Sequence, residues 1–253
     1  MPLNARQAGT GKPVVLIHGL FGSLENLGGI ARQLAKHYCV HSIDLPNHGR
    51  SPHSDETSLA QMAEQVYHWL QKQSFQHASF IGHSLGGKVA MELALDHPTC
   101  VDRLAVLDIS PVHYDPHHHQ VFQGLLAIRP DELNSRGQAE EILAQHVEEP
   151  AVRSFLLKNL ARQGKGYGWR MNLNTLHKHY PQLVKGNRSG ACFRGKTLFL
   201  KGGRSAYIQN SHHGEIVSRF PSAQFKIVAD TGHWLHAEKP DLVTRLLLKF
   251  LAH

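Results

Sequence analysis

The sequence has 253 residues, of which 41% are hydrophobic and 19% are charged, and its formal net charge is +7. A chain of this size and composition fits one globular domain with room for an insertion. Its apolar runs, such as those at 198–200 and 246–248, are much shorter than the roughly 20 residues of a membrane-spanning helix, which excludes stable membrane insertion.

Short apolar runs rich in β-branched residues alternate along the chain with helical patterns. This alternation predicts an α/β fold, with a mostly parallel central sheet flanked by helices. Several of the runs end at glycine or proline, as expected where a strand turns into a loop. The predicted strands cover residues 13–19, 39–46, 77–82, 103–109, 196–200 and 223–229.

Helices are predicted between these strands from apolar residues that recur on one face. One helix has them at i, i+4, i+7 and i+8. These residues are Met62, Val66, Trp69 and Leu70. A second helix is predicted directly after Ser84, from Val89, Leu93 and Leu95, and a C-terminal helix is predicted to begin near Pro240.

The alternation is interrupted between residues 111 and 195, where helical patterns occur and no convincing strand does. We therefore predict a core formed by residues 1–110 and 196–253, with a helical cap, residues 111–195, inserted in it. Ligands of open α/β sheets bind at the carboxyl ends of the strands, so a cap at that end would cover the binding site.

The segment GHSLGG at 82–87 lies between a predicted strand and a predicted helix. The pattern Gly82-x-Ser84-x-Gly86 in this context predicts a nucleophile elbow, a sharp turn that exposes the serine hydroxyl. Glycines are needed because the strand and the helix approach too closely for a Cβ. We predict Ser84 as the catalytic nucleophile.

A serine hydroxyl needs a base, and a histidine is expected after the last strand. The segment ADTGHWLHAEKP provides His233, in a turn between strand 223–229 and the final helix. His236 is the competing candidate, but it lies closer to the helix start and lacks the preceding Thr-Gly turn. We predict His233 as the base.

The acid of a triad orients the imidazole and stabilises its charged form. The loop after strand 196–200 reads KGGRSAY and has Ser205 where an aspartate is expected. Asp108 ends the preceding strand after an apolar run, and a buried carboxylate there needs a partner. Asp230 is an alternative, although its short separation from His233 favours a turn-capping role. We predict Asp108 as the acid and Ser205 as an accessory hydrogen-bonding residue.

An oxyanion hole needs two backbone N–H donors. The N–H of Leu85, directly after the nucleophile, is predicted as one donor. The loop after the strand at 13–17 reads HGLFGS, and the N–H of Leu20 in this loop is predicted as the second. His18 is expected to brace this loop and to take no part in the chemistry.

With these motifs assembled, the chain resembles the α/β-hydrolase superfamily, and within it the YbfF-type bacterial esterases and the related abhydrolase-domain-11 lipases. The resemblance covers nearly the whole chain and rests on HGLFGSLENLG, DLPNHGRS, GHSLGG, LDISPV, GGRSAYI and GHWLHAEKP. It implies a helical cap after the sixth strand, with Ser84, Asp108 and His233 as nucleophile, acid and base. It also implies hydrolysis of carboxylic esters without a cofactor, with acyl-CoA thioesters as a further substrate class.

Two other functions stay open at this point. A carbon–carbon bond hydrolase of the same fold uses the same triad, and a non-catalytic ligand receptor on a hydrolase scaffold would bind without turnover. Ester hydrolysis that disappears in a Ser84→Ala variant would separate the esterase from both.

The positive charge is concentrated in one segment. Residues 150–214 contain 12 Lys and Arg and no Asp or Glu, whereas the remainder contains 15 basic and 20 acidic residues. Such a segment is typical of a solvated face or of a site for an anionic ligand, such as the phosphates of coenzyme A. Nucleic acid is not expected as a partner, because no recognition module and no interleaved aromatic residues accompany the charge.

The segment HYDPHHHQ brings His113, Asp115 and residues 117–119 together in sequence. Three adjacent histidines cannot all face one ion on regular structure, so we expect a solvated loop and no metal ion. Three widely spaced cysteines without a C-x-x-C pair indicate a reducing compartment. The first 13 residues show no signal pattern, so a cytoplasmic location is expected. The oligomeric state stays open.

Overall fold

The computed structural model describes residues 2–164 and 166–252. Its strands are β1 Ala5–Ala8, β2 Pro13–Ile17, β3 Cys39–Ile43, β4 Ala78–His83, β5 Val101–Leu107, β6 Leu160–Gln163, β7 Gly166–Trp169, β8 Lys196–Gly202 and β9 Ala223–Val228. Its helices are α1 Gly28–Leu34, α2 Leu59–Leu70, α3 Leu85–Asp96, α4 His119–Ala127, α5 Arg136–Ala144, α6 Pro150–Leu157, α7 Leu173–Lys178, α8 Tyr180–Leu183, α9 His213–Arg219, α10 Leu235–Glu238 and α11 Pro240–Ala252.

Seven strands form the central sheet, in the order β1-β3-β2-β4-β5-β8-β9. β1 pairs antiparallel with β3, and all other neighbouring strands of the sheet are parallel. The carboxyl ends of β2, β4, β5, β8 and β9 therefore lie along one edge of the sheet. Loops that leave this edge are far apart in sequence but close in space, as in other open α/β sheets.

The central strands are buried on both faces, because helices cover each side. Successive side chains of a strand point to opposite faces. In β2, Val15 and Ile17 pack in the core that contains α2 and α3, whereas Val14 and Leu16 pack in the core that contains α1 and α11. The apolar face predicted for α2, at residues 62–70, is buried in the first of these cores.

Residues 111–195 form α4 to α8 and an antiparallel hairpin, β6–β7. The buried side chains of this segment, such as Phe122, Leu143 and Leu176, are continuous with the core on the α2 and α3 side of the sheet. The resemblance implied that this segment follows the sixth strand. In this chain it follows β5, the fifth strand among the described residues.

The structure confirms the α/β prediction and contains every predicted strand, with ends that differ by at most three residues. Two features were missed. β1 is an exposed edge strand of sequence ARQA, with no apolar alternation to indicate it. The hairpin β6–β7 lies where no strand was predicted, and its second strand, GYGW, contains two glycines, which are weak strand formers. No helix of the described residues is long and apolar enough to cross a bilayer.

Candidate active site

Ser84 occupies the sharp turn between β4 and α3, and its φ of 53° lies in the left-handed region. The glycines of the motif make this turn possible. A Cβ on Gly82 would lie 2.2 Å from the carbonyl oxygen of Gly86, and a Cβ on Gly86 would lie 2.3 Å from the carbonyl oxygen of Ile17. Both contacts are sterically forbidden, so the close strand–helix approach expected from the sequence is present.

Helix α3 begins directly after Ser84, at Leu85. The first helical hydrogen bond runs from the Lys88 N–H to the Ser84 carbonyl at 3.1 Å, which leaves the Leu85 N–H without a partner inside the helix. The loop after β2 lies against the nucleophile, since a Cβ on Gly19 would lie 3.1 Å from the Ser84 Cβ. Neither the Leu20 N–H nor the Leu85 N–H donates a hydrogen bond to the residues that the structure describes.

His18 braces this loop from a buried position. Its Nε2 accepts a hydrogen bond from the Leu45 N–H at 3.0 Å, so its Nδ1 carries the proton and donates to the Gly19 carbonyl at 2.8 Å. Burial lowers the pKa of His18 below its ordinary value, which keeps the ring neutral. The bracing role expected for this histidine therefore has a structural basis in two hydrogen bonds.

Asp108 follows β5 and is completely buried. Three donors satisfy its carboxylate, which makes burial of the charge tolerable. Oδ1 accepts from the Gly202 N–H at 2.9 Å, and Oδ2 accepts from both the Ser205 hydroxyl and His233 Nδ1, the latter at 2.8 Å. The φ of Asp108, 52°, also lies in the left-handed region, so this carboxylate sits at a second strained strand end.

His233 follows β9, and two contacts besides Asp108 hold it. Its ring stacks on Tyr207, with centroids 4.0 Å apart and planes 27° apart. Its backbone carbonyl accepts a hydrogen bond from Nε2 of His83 at 2.9 Å. Burial, followed by the charges of neighbouring histidines, lowers the pKa of His83 well below its ordinary value, so that this side chain is a neutral donor.

The rival residues occupy other environments. The side chain of Asp230 is 84% exposed and lies 3.4 Å from the Lys239 ammonium, as fits a turn residue at the surface. His236 lies in α10, where its ring packs against His83 with centroids 4.3 Å apart. Its buried Nδ1 has no hydrogen-bond partner among the described residues. Neither rival contacts Asp108, whereas His233 does.

A cavity of about 540 Å³ opens over these residues. Ser84, His233 and Trp234 line it from the sheet side, and His118, Val152 and Phe155 line it from the 111–195 segment. No hydrogen bond joins Ser84 Oγ to His233 Nε2 in the described residues, although both side chains form walls of this cavity.

Two histidines of HYDPHHHQ, His117 and His118, are hydrogen-bonded to tyrosine hydroxyls. His117 Nε2 lies 2.6 Å from the Tyr207 hydroxyl, and His118 Nδ1 is hydrogen-bonded to the Tyr180 hydroxyl. In residues 2–164 and 166–252, no three His, Cys, Asp or Glu side chains are grouped so as to hold a metal ion.

A family model described as the alpha/beta hydrolase fold matches residues 12–240. The chain belongs to the α/β-hydrolase family. It is 38% identical over 240 residues to Esterase YbfF of Escherichia coli, covering 94% of this chain and 92% of the relative. It is also 38% identical over 247 residues to an sn-1-specific diacylglycerol lipase of Mus musculus, covering 94% and 80% of the two chains.

Among solved structures, this α/β hydrolase matches one titled "Marine microorganism esterase". The TM-score is 0.96 at 35% identity, and the match covers 98% of this chain and 99% of the other. These comparisons confirm the family expected from the motifs.

Two side chains that contact His233 in this α/β hydrolase, His83 and Tyr207, were not predicted from the sequence. Both are close in sequence to predicted site residues: His83 directly precedes Ser84, and Tyr207 lies two residues after Ser205. What the sequence lacks is a signal that the first would reach across to the His233 carbonyl and that the second would stack on its ring.

Proposed function

We propose that this α/β hydrolase is a serine esterase that hydrolyses carboxylic esters through an acyl-enzyme formed on Ser84. The observation that carries the proposal is the buried Asp108 carboxylate 2.8 Å from His233 Nδ1, in a cavity that Ser84 also lines. Relatives named as an esterase and as a lipase support the same reaction class.

In this mechanism His233 accepts the proton of the Ser84 hydroxyl as Oγ attacks the acyl carbonyl. The Leu20 and Leu85 N–H groups stabilise the oxyanion of the tetrahedral intermediate, and Asp108 stabilises the imidazolium. His233 then gives its proton to the departing alcohol. Water, activated by the same imidazole, attacks the acyl-enzyme and releases the acid. Ser205 supports Asp108 and does not touch the substrate.

In this proposal residues 111–195 act as a cap inserted in a core formed by residues 1–110 and 196–253. Support comes from His118, Val152 and Phe155, which line the cavity opposite Ser84. Three free cysteines, Cys39, Cys100 and Cys192, suit the cytoplasmic location expected from the sequence.

The proposal extends to acyl-CoA thioesters, whose leaving group carries phosphates. The 12 Lys and Arg residues of the 150–214 segment are the cations that could bind these phosphates. Lys158 lines the cavity, whereas Arg153, Arg188 and Arg204 form ion pairs with Glu140, Asp96 and Glu238. Support for phosphate binding therefore rests on Lys158. If it is correct, salt should lower kcat/KM for an acyl-CoA more than for a neutral ester, and Lys158→Gln should remove that difference.

The test of the esterase proposal is hydrolysis of p-nitrophenyl esters by the wild type, Ser84→Ala and Ser218→Ala. Ser218 is an exposed serine of α9 and serves as the matched control. We expect Ser84→Ala to lose about 10⁴-fold or more of kcat while Ser218→Ala retains full activity. A fluorophosphonate should label Ser84 in the wild type and leave Ser84→Ala unlabelled. Full turnover by a folded Ser84→Ala variant would refute the proposal.

A further inference from the structure

Ser84 lies between two cavities of very different size. The larger is the cavity of about 540 Å³ described above, and the smaller has a volume of about 40 Å³. Leu20, Ser84 and His118 line both cavities and form the partition between them. The remaining walls of the smaller cavity include Ile109, Tyr114, Tyr180, Leu183, Val184 and Tyr207.

Apart from the Ser84 hydroxyl, the polar side chains around the smaller cavity are hydrogen-bonded to one another or to the backbone. Lys88 Nζ donates to the carbonyls of Val112 and Lys185, at 2.8 and 2.7 Å. The Tyr114 hydroxyl donates to the Tyr207 carbonyl. The hydroxyls of Tyr180 and Tyr207 bond to His118 and His117, as described above.

Because these polar atoms already have partners, the cavity offers a ligand mainly aromatic rings and aliphatic side chains. A polar group placed there would lose its hydrogen bonds to water without gaining new ones. The smaller cavity is therefore suited to a short hydrocarbon chain.

The chemistry of the intermediate decides which part of an ester faces which cavity. The carbonyl carbon attached to Ser84 Oγ has three other substituents: the oxyanion, the leaving oxygen and the acyl chain. The oxyanion faces the Leu20 and Leu85 N–H groups. The leaving oxygen must lie beside His233, which protonates it, and His233 lines the larger cavity but not the smaller one. With the oxyanion and the leaving oxygen placed in this way, the remaining substituent, the acyl chain, points toward the smaller cavity.

We propose that the smaller cavity is the acyl pocket and that the larger cavity binds the alcohol part of the ester. This inference rests on the proposed esterase function. One ordered water needs about 10–15 Å³ of such space, so about 40 Å³ holds about three heavy atoms beyond the carbonyl carbon. The substrate class is therefore esters of short, unbranched aliphatic acids, acetyl to butanoyl, with alcohols much larger than the acyl group.

The first test uses the wild-type protein and two ester series. In one series the p-nitrophenyl group is fixed and the acyl chain grows from acetate to octanoate. In the other, acetate is fixed and the alcohol grows from ethanol to octanol. We expect kcat/KM to fall at least about 10-fold from butanoate to octanoate. In the acetate series it should stay level or rise, because a longer alcohol buries more apolar surface. A profile that rises toward octanoate would overturn the assignment.

The second test enlarges each cavity in turn. Leu183 is buried and lines the smaller cavity, and Val152 lines the larger one. Leu183→Ala should raise the ratio of octanoate to acetate kcat/KM at least about 5-fold, whereas Val152→Ala, the matched control, should leave that ratio unchanged. Val184→Ala enlarges the same small cavity and replaces Leu183→Ala if that variant fails to fold. The reverse pattern, with Val152→Ala shifting the acyl ratio, would place the acyl chain in the larger cavity and overturn the inference.

The outcomes separate this inference from the esterase proposal. Absence of turnover on every ester, together with absence of fluorophosphonate labelling at Ser84, overturns both. Labelling and turnover with the reversed size preference overturn the pocket assignment and leave the serine mechanism in place.

Discussion

The Oδ2 atom of Asp108 lies 2.8 Å from Nδ1 of His233, although 125 residues separate the two in sequence. Since a carboxylate accepts hydrogen bonds, this contact holds the proton on Nδ1 and leaves Nε2 free to act as a base. The contact fixes the tautomer of the imidazole as well as its position.

Replacement of Asp108 by asparagine should disable the imidazole while keeping the shape of the site. An amide can present N–H instead of oxygen to Nδ1, which favours the wrong tautomer. We expect Asp108→Asn to lower kcat about 10⁴-fold, as loss of the triad carboxylate does in serine proteases. The measurement is kcat on p-nitrophenyl acetate, with Asp230→Asn as the control. Equal losses in both variants would contradict the assignment of Asp108.

Ser205 shares the Oδ2 atom of Asp108 with His233, so it acts as a positioning residue. A hydrogen bond to a charged group contributes about 1.5–3 kcal/mol, so Ser205→Ala should lower kcat/KM about 10- to 100-fold. Ser205→Thr keeps the hydroxyl and should restore most of the loss. If threonine fails to restore activity in a folded variant, the hydroxyl is not what supports the acid.

The elbow glycines should tolerate no side chain. In Gly82→Ala the new Cβ would lie 2.2 Å from a backbone oxygen, which forces the strand and helix apart. We expect a loss of about 3 kcal/mol or more in the free energy of unfolding, together with loss of activity. Gly29→Ala, in α1, places a Cβ with nothing within 4 Å and should be neutral or stabilising by up to about 1 kcal/mol. Urea unfolding of both variants provides the comparison.

Lys88 is a buried lysine on α3, one turn after Ser84. Burial lowers the pKa of its ammonium from 10.5 to about 7. Between pH 7 and 10 the unfolded chain therefore keeps this proton while the native state has released it, so the Lys88 contribution to stability rises with pH. The difference in the free energy of unfolding between wild type and Lys88→Met should rise by about 1 kcal/mol or more across this range. A difference that stays constant would show that Lys88 does not titrate there.

His236 should contribute to unfolding in acid. Burial, followed by the charge of His233, lowers its pKa from 6.5 to about 4. As pH falls from 6.5 to 4, the unfolded state takes up a proton that the native state does not, so stability is lost in that window. His236→Phe removes this uptake and should make the free energy of unfolding less dependent on pH between 6.5 and 4. An unchanged pH dependence in this variant would exclude the contribution.

The sequence predicted those parts of the fold that have a local pattern. Strands β2 to β5 and β8 are rich in apolar and β-branched residues because they are largely buried, and Gly82 and Gly86 are required by the turn at Ser84. The edge strand β9 is mostly exposed but was predicted because it contains Phe225, Ile227 and Val228. The edge strand β1 could not be predicted in this way, because an exposed strand paired on one side needs no apolar face.

The candidate site likewise contains residues that a local sequence pattern predicts and residues that depend on tertiary packing. Ser84 was predicted from its motif, His233 from chain order, and Asp108 from the apolar strand that it follows. The structure places Asp108 against His233, and Ser84 lines the same cavity as His233. His83 and Tyr207 were not anticipated, because their contacts with His233 depend on how loops from different strands meet. The smaller cavity could not be predicted from the sequence either, because its size depends on the packing of α8 against the loop after β5.

The order of the strands has a consequence for folding. Ser84, Asp108, Ser205 and His233 follow β4, β5, β8 and β9, which are adjacent in the sheet, but 88 residues separate β5 from β8 in the chain. Pairing β5 with β8 requires closure of this long loop, and such non-local contacts form slowly. No fragment that ends before β9 contains the whole constellation. Recovery of ester hydrolysis after dilution from denaturant should therefore lag behind the recovery of helical circular dichroism and report the assembly of the second half of the sheet.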